Sequence, residues 1–292
     1  MRKLALAAAF AAVFASPVMV STAQAQTAAP AAAAPTPDYT LTGNLTLAND
    51  YRFRGVSQTL NGPTVQGGID FTHTPSGIYL GNWDSNVSGV TYPNGNGAEM
   101  DFYGGWRHSW GDFGIDVGGL YYYYNNSFLP GTGNTSSRPN NFEGYVSGSW
   151  KWLSFKYSYA FTNYFGMRGN IGANTTSKDC FVSGACTTTL GNNGNSRGSQ
   201  YYELNASYEI VPKWTLSGHL GHVNVKNYGA LNYTDAKIGI AYAFDSGWAL
   251  GAAVVGTNAN KQWYSGERTV NGTNQAKDLA TTTGVISLSK TF

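Results

Sequence analysis

The chain has 292 residues, 42% of them hydrophobic, and its 18 basic and 16 acidic residues come to 16 against 16 once Arg2 and Lys3 are set aside with the leader. A chain near zero charge with no basic stripe is not built for nucleic acid. Beyond the leader, no run approaches the roughly 18 apolar residues of a membrane-spanning helix, while 37 Gly and 20 Tyr favour strands and turns.

In chain order, Arg2-Lys3, the apolar run Leu4 to Val20 and Ala23-Gln24-Ala25 have the order of a cleavable secretory signal peptide, 1–25, with the mature chain starting near Gln26. Residues 26–38, almost all Ala and Pro, cannot bury a core and predict a disordered periplasmic tail. From 39 to 292, about twelve segments alternate apolar and polar residues: 39–53, 64–73, 78–87, 98–107, 113–124, 142–150, 153–161, 200–210, 214–223, 234–244, 248–257 and 279–292. Their connectors switch in turn between about two to five residues and about ten or more, the longest running from Thr162 to Ser199. That rhythm predicts an all-β domain: an antiparallel transmembrane β-barrel of about twelve strands, with tight turns facing the periplasm and long loops facing outward.

Period two assigns the faces. In the first segment Tyr39, Leu41, Leu45, Leu47, Tyr51 and Phe53 share the outward parity, and Thr40, Thr42, Asn44, Thr46, Asp50, Arg52 and Arg54 share the inward one. Trp106, Trp110, Trp150, Trp152, Trp214 and Trp248 lie at short turns, while Tyr121 to Tyr124, Tyr51, Phe53, Tyr164 and Phe165 lie near long loops, as two interfacial girdles would. The last strand ends on Phe292 and resembles the C-terminal strand that bacterial barrels present to their assembly machinery, an expected partner alongside outer-membrane lipid. Cys180 and Cys186, in the longest loop of an exported chain, predict a disulfide there; two unpaired thiols are the alternative.

The stretch Asp50-Tyr51-Arg52-Phe53-Arg54-Gly55-Val56-Ser57-Gln58-Thr59, then Pro63, Val65-Gln66-Gly67-Gly68-Ile69-Asp70 and Gly81-Asn82-Trp83-Asp84-Ser85-Asn86, resembles the TorF-type porin family. The match covers about the first quarter of the mature barrel. The resemblance implies an outer-membrane barrel of a Gram-negative bacterium, names no solute and supplies no catalytic residues.

The candidate lining of the lumen is Asp50, Arg52, Arg54, Asp70, Glu99, Asp101, Arg107, Asp116, Lys156, Glu203, Asp235 and Lys237. With Glu143 the inward acids outnumber the inward bases, which suggests a mild cation preference. Arg52 and Arg54, near the outer mouth, either fold over the lumen or brace the wall by pairing with Asp50 and Asp70. Glu99 and Asp101 are expected to join a network with Arg107. No enzyme chemistry is expected: His73 and His108 sit by short turns, and His219 and His222, three apart on a strand, point to opposite faces and cannot share a metal. All four are expected as interfacial histidines. No cofactor motif or zinc spacing appears. The expected function is passive diffusion of small polar solutes through a narrow lumen. A plugged structural or adhesive barrel and a secreted β-rich binding protein are the alternatives, and the oligomeric state is left open.

Overall fold

The computed structural model describes residues 37–92, 95–130, 136–169, 190, 193–270 and 273–292. The expected leader, nearly all of the Ala/Pro tail, and Cys180 and Cys186 lie outside these residues. Twelve strands close into one antiparallel barrel: β1 Tyr39–Ala48, β2 Thr64–His73, β3 Ile78–Asn86, β4 Ala98–Trp110, β5 Phe113–Tyr124, β6 Asn141–Trp150, β7 Leu153–Ala160, β8 Gln200–Val211, β9 Trp214–Asn224, β10 Tyr233–Ala243, β11 Trp248–Thr257 and β12 Thr283–Thr291. Each strand pairs with its sequence neighbours, and β1 closes on β12 with Leu47 opposite Leu288, so the sheet has no free edge.

The tight turns 74–77, 111–112, 151–152, 212–213 and 244–247 all lie at one end. The first and last strands are tied to that end too, since Thr74 N–H donates to Asp38 O and Thr291 N–H to Gly247 O. Two-residue turns that match strand twist need positive φ. Gly111 (φ 61°) adopts it without strain, and Lys151 (53°) and Lys213 (72°) take it as well.

Period two sorts the side chains as expected. Ile69, Leu80, Ile238 and Val254 stand on an exposed apolar outer wall, while Asp101, Glu143, Glu203 and Asp235 are buried inside. Trp106, Trp110, Trp150, Trp152, Trp214 and Trp248 remain exposed around the turn end. No helix among the described residues is long and apolar enough to cross a membrane.

Three departures from the sequence pattern concern the loop end. The first strand stops at Ala48 instead of running to Phe53. The chain then turns into the barrel, because Asp50 collects Ser57 Oγ (2.6 Å) and Thr59 Oγ1 (3.1 Å) while Arg54 (φ 47°) and Gly55 (φ 80°) reverse the backbone between Arg52–Phe53 and Val56–Ser57. Tyr51 and Phe53 are therefore buried inside rather than outward. Likewise the Tyr121 to Tyr124 run alternates, with Tyr122 and Tyr124 buried inside and Tyr121 exposed, so only part of it belongs to a girdle. Finally, the last strand begins at Thr283, and the connector before it holds its own hairpin, Ser265–Val270 with Thr273–Asp278.

Candidate functional site: the lumen

The lumen has two tiers. The loop-end tier is filled by segment 50–59 and by Tyr164 and Phe165 of the β7–β8 connector. Arg52 pairs with Asp50 (2.5 Å) and donates to the carbonyls of Leu279 (3.0 Å) and Thr281 (2.9 Å), which fixes the base of the segment to the wall. Arg54 reaches β6, where its two terminal nitrogens meet both oxygens of Glu143 at 3.0 and 2.6 Å. Tyr164 OH lies 2.9 Å from the same guanidinium, whose carbon sits 4.1 Å from the Tyr201 ring centre. Bidentate geometry and a π-face are what a guanidinium, unlike an ammonium, exploits. Phe53, Tyr122 and Phe165 pack on one another edge-to-face or tilted, ring centres 5.2 to 5.5 Å apart, and the guanidinium carbon lies 4.8 Å from the Phe53 ring centre. Burial and then the charge of Glu99 push the phenols of Tyr51 and Tyr92 up, so both stay neutral donors.

The second tier begins beneath that segment and runs toward the turns. Tyr103 OH donates to Asp70 (2.6 Å) and Tyr79 OH to Asp116 (2.6 Å), with Tyr145 OH bonded to Tyr79 OH. Arg107 lies over the Tyr79 ring and donates to Thr72. Lys156 pairs with Glu203 at 2.8 Å, and His219 bridges Asp235 (2.9 Å) and Asn205 (2.6 Å). Below them a cavity of about 100 Å³ is lined by Arg107, Asp116, Ser147, Lys156, Asn205 and Ser207 among others.

All twelve candidate residues thus face the interior, but their partners differ from expectation. Arg54 pairs with Glu143 across the lumen, not with Asp50 or Asp70. Arg107 belongs to the turn-side tier and does not meet Glu99 or Asp101, which lie six to eight residues away along β4, near the loop end. Lys237 faces inward opposite His219 in register. His219 is a lumen residue rather than an interfacial one, while His222 is exposed on the outer wall beside Thr234. The inward tyrosines are missing from the sequence-derived lining because interfacial anchoring claims Tyr for the girdles. Their parity with Trp83, Ser85 and Asp101 is the signal that marks them.

Those tyrosines lie against glycines of adjacent strands. A Cβ on Gly221 would meet Tyr201 Oη at 2.0 Å, whereas one on Gly218, outward on the same strand, would meet nothing within 4 Å. Gly221→Val is expected to cost about 1–3 kcal/mol by overpacking, and Gly218→Val to be neutral or stabilising by up to about 1 kcal/mol through lost chain entropy. Denaturant midpoints of the two variants check this.

Residues 32–292 match a single family, described as a bacterial protein of unknown function (Gcw_chp). The chain belongs to the Gcw_chp family. No curated protein matches it in sequence. Among solved structures it is similar to the KdgM porin, with TM-score 0.48, 10% identity, and 86% of this chain and 99% of that one covered. It is also similar to the NanC porin (TM-score 0.48, 10% identity, 87% and 99%) and to OprD of Pseudomonas aeruginosa (0.35, 11%, 89% and 68%).

Proposed function

We propose that this Gcw_chp barrel spans the outer membrane and is a porin-like channel for passive diffusion of small polar solutes. The observation that carries the reading is inverted polarity in a closed barrel. The outer wall is apolar with tryptophans ringing the turn end, while ion pairs, tyrosine hydroxyls and small hydroxyl side chains fill the inside. A water-soluble barrel has the opposite arrangement, and a sheet closed on itself is what hydrocarbon requires. The resemblance of residues 50–86 to TorF-type porins supports the same reading. The turn end then faces the periplasm, with the N-terminal tail, and the C-terminal strand ending at Phe292 engages the assembly machinery.

The twelve inward candidates, with Glu143 and His219, line the solute path. Most lumen carboxylates are matched: Asp50 by Arg52, Glu143 by Arg54, Glu203 by Lys156, Asp235 by His219 and Tyr201. Glu99 and Asp101 have no ion-pair partner among the described residues, and Glu99 Oε2 and Asp101 Oδ1 are buried without a hydrogen bond. Once water fills the open lumen and ionises them, these two acids set a cation preference. The test is reconstitution into planar bilayers, where infrequent stepwise openings are expected. In a KCl gradient the reversal potential should favour K⁺, and Glu99→Gln with Asp101→Asn should move it toward zero. Absence of any conductance, with the protein extracted from membranes by carbonate, would exclude the channel and point to a secreted β-protein.

A further inference from the structure

Resting on the channel reading above, we propose that segment 50–59 is an autoinhibitory plug latched across the lumen by Arg54 and Glu143, and that the barrel conducts only when this latch opens. The segment is anchored on three sides. Its base continues from β1 and is pinned by Arg52 to the carbonyls of Leu279 and Thr281 before β12. Its tip, Gly55, lies so close to the wall two and three strands from β1 that a Cβ there would sit 2.7 Å from the Asp235 Cβ on β10 and 3.0 Å from the Thr257 Cβ on β11. Its third anchor is Arg54, gripping Glu143 on β6. A segment that touches β6, β10 and β11 while hanging from β1 crosses the bore.

Burial agrees with this span. Asp50, Arg54, Glu143 and Asp235 are each at most 5% exposed, although they face the inside of a barrel whose turn-side half holds a cavity. Solvent scarcely reaches these four side chains in this conformation.

The anchors differ in kind. Arg52 and Asp50 close a local knot within the segment and its base, and so survive movement of the tip. Gly55 rests on the wall by contact alone. The Arg54 to Glu143 pair is the charged, two-point bond between tip and opposite wall, and a buried charge deprived of its partner strongly disfavours the position it occupies. Removing the Glu143 charge therefore frees the tip while leaving the base in place.

The experiment uses full-length protein, checked for folding by its heat-sensitive gel mobility, in planar bilayers. Four forms are compared: wild type, Glu143→Gln, the exchange Arg54→Glu with Glu143→Arg, and a plugless form with residues 52–57 replaced by Gly and Ser. Wild type is expected to be mostly closed and the plugless form open. Glu143→Gln should raise open probability at least about tenfold, and the exchange should bring it back toward wild type. Trypsin cleavage after Arg54 should rise in Glu143→Gln without any conductance being measured. If the plugless form conducts but Glu143→Gln matches wild type in both opening and cleavage, the latch is wrong and the channel stands. If wild type is as open as the plugless form, the plug is wrong. If the folded plugless form passes no current, the channel reading itself fails and the plug with it.

Discussion

Replacing Lys156 with alanine is expected to destabilise the barrel by about 3–5 kcal/mol, because it strands a buried carboxylate. Glu203 is 1% exposed, and Lys156 Nζ lies 2.8 Å from its Oε1. Without the lysine, Glu203 retains Asn205 at 3.3 Å, His219 at 3.8 Å and the electrostatic reach of Lys237, none of which replaces the direct ion pair. Solvent does little to relieve this, since the side chain of Lys156 itself is only 13% exposed. The double variant Lys156→Met with Glu203→Gln removes both charges at nearly constant volume and is expected to recover most of the loss. The measurement is the denaturant midpoint of the shift between folded and unfolded gel bands. A single variant no weaker than the double would show that the pair does not brace the wall between β7 and β8.

That pair illustrates what a one-dimensional pattern carries. Parity alone places Lys156 and Glu203 on the inward face, and antiparallel neighbours in register then have to meet, as they do with Lys156 opposite Glu203. Strand number, most strand ends at the turn side and the two faces follow from period two and from turn length, both local properties, although β4 runs on to Trp110 where the pattern gives Arg107. The interior of the loop end is not legible in the same way. Extending the first segment's alternation past Ala48 assigns Tyr51 and Phe53 to the outer wall, and the signal that contradicts it is small: Asp50, Ser57 and Thr59 close a knot that no periodicity records. Once the chain turns inward, partners are decided by three-dimensional reach. Arg54 finds Glu143, 89 residues on, where adjacent-strand reasoning offers Asp50 and Asp70. His219 shows the converse: parity correctly sets it opposite to His222, yet which of the two looks into the lumen depends on Asn205 and Asp235 waiting there.

The outer wall yields the other large effect. Ile238 is at the middle of β10, 60% exposed, flanked in register by Gly218 of β9 and Val254 of β11. In water such a side chain contributes little, and an arginine there would be harmless or would help solubility. In hydrocarbon the guanidinium must be stripped of water or drag water and headgroups inward, so Ile238→Arg is expected to cost about 2–4 kcal/mol. The cost should depend on depth. Phe244, just past the turn-side end of the same strand and 45% exposed, lies at the level of Trp248, where an arginine can reach headgroups. Phe244→Arg is therefore expected to cost only about 0–1 kcal/mol. The comparison is made by reversible unfolding from lipid vesicles, since detergent would blunt the depth dependence. Equal and small effects at the two positions would mean that water, not lipid, covers this wall, and the membrane placement would fall. A steep difference would fix the tryptophan-lined turn end at one interface and set the level of the hydrocarbon along β10.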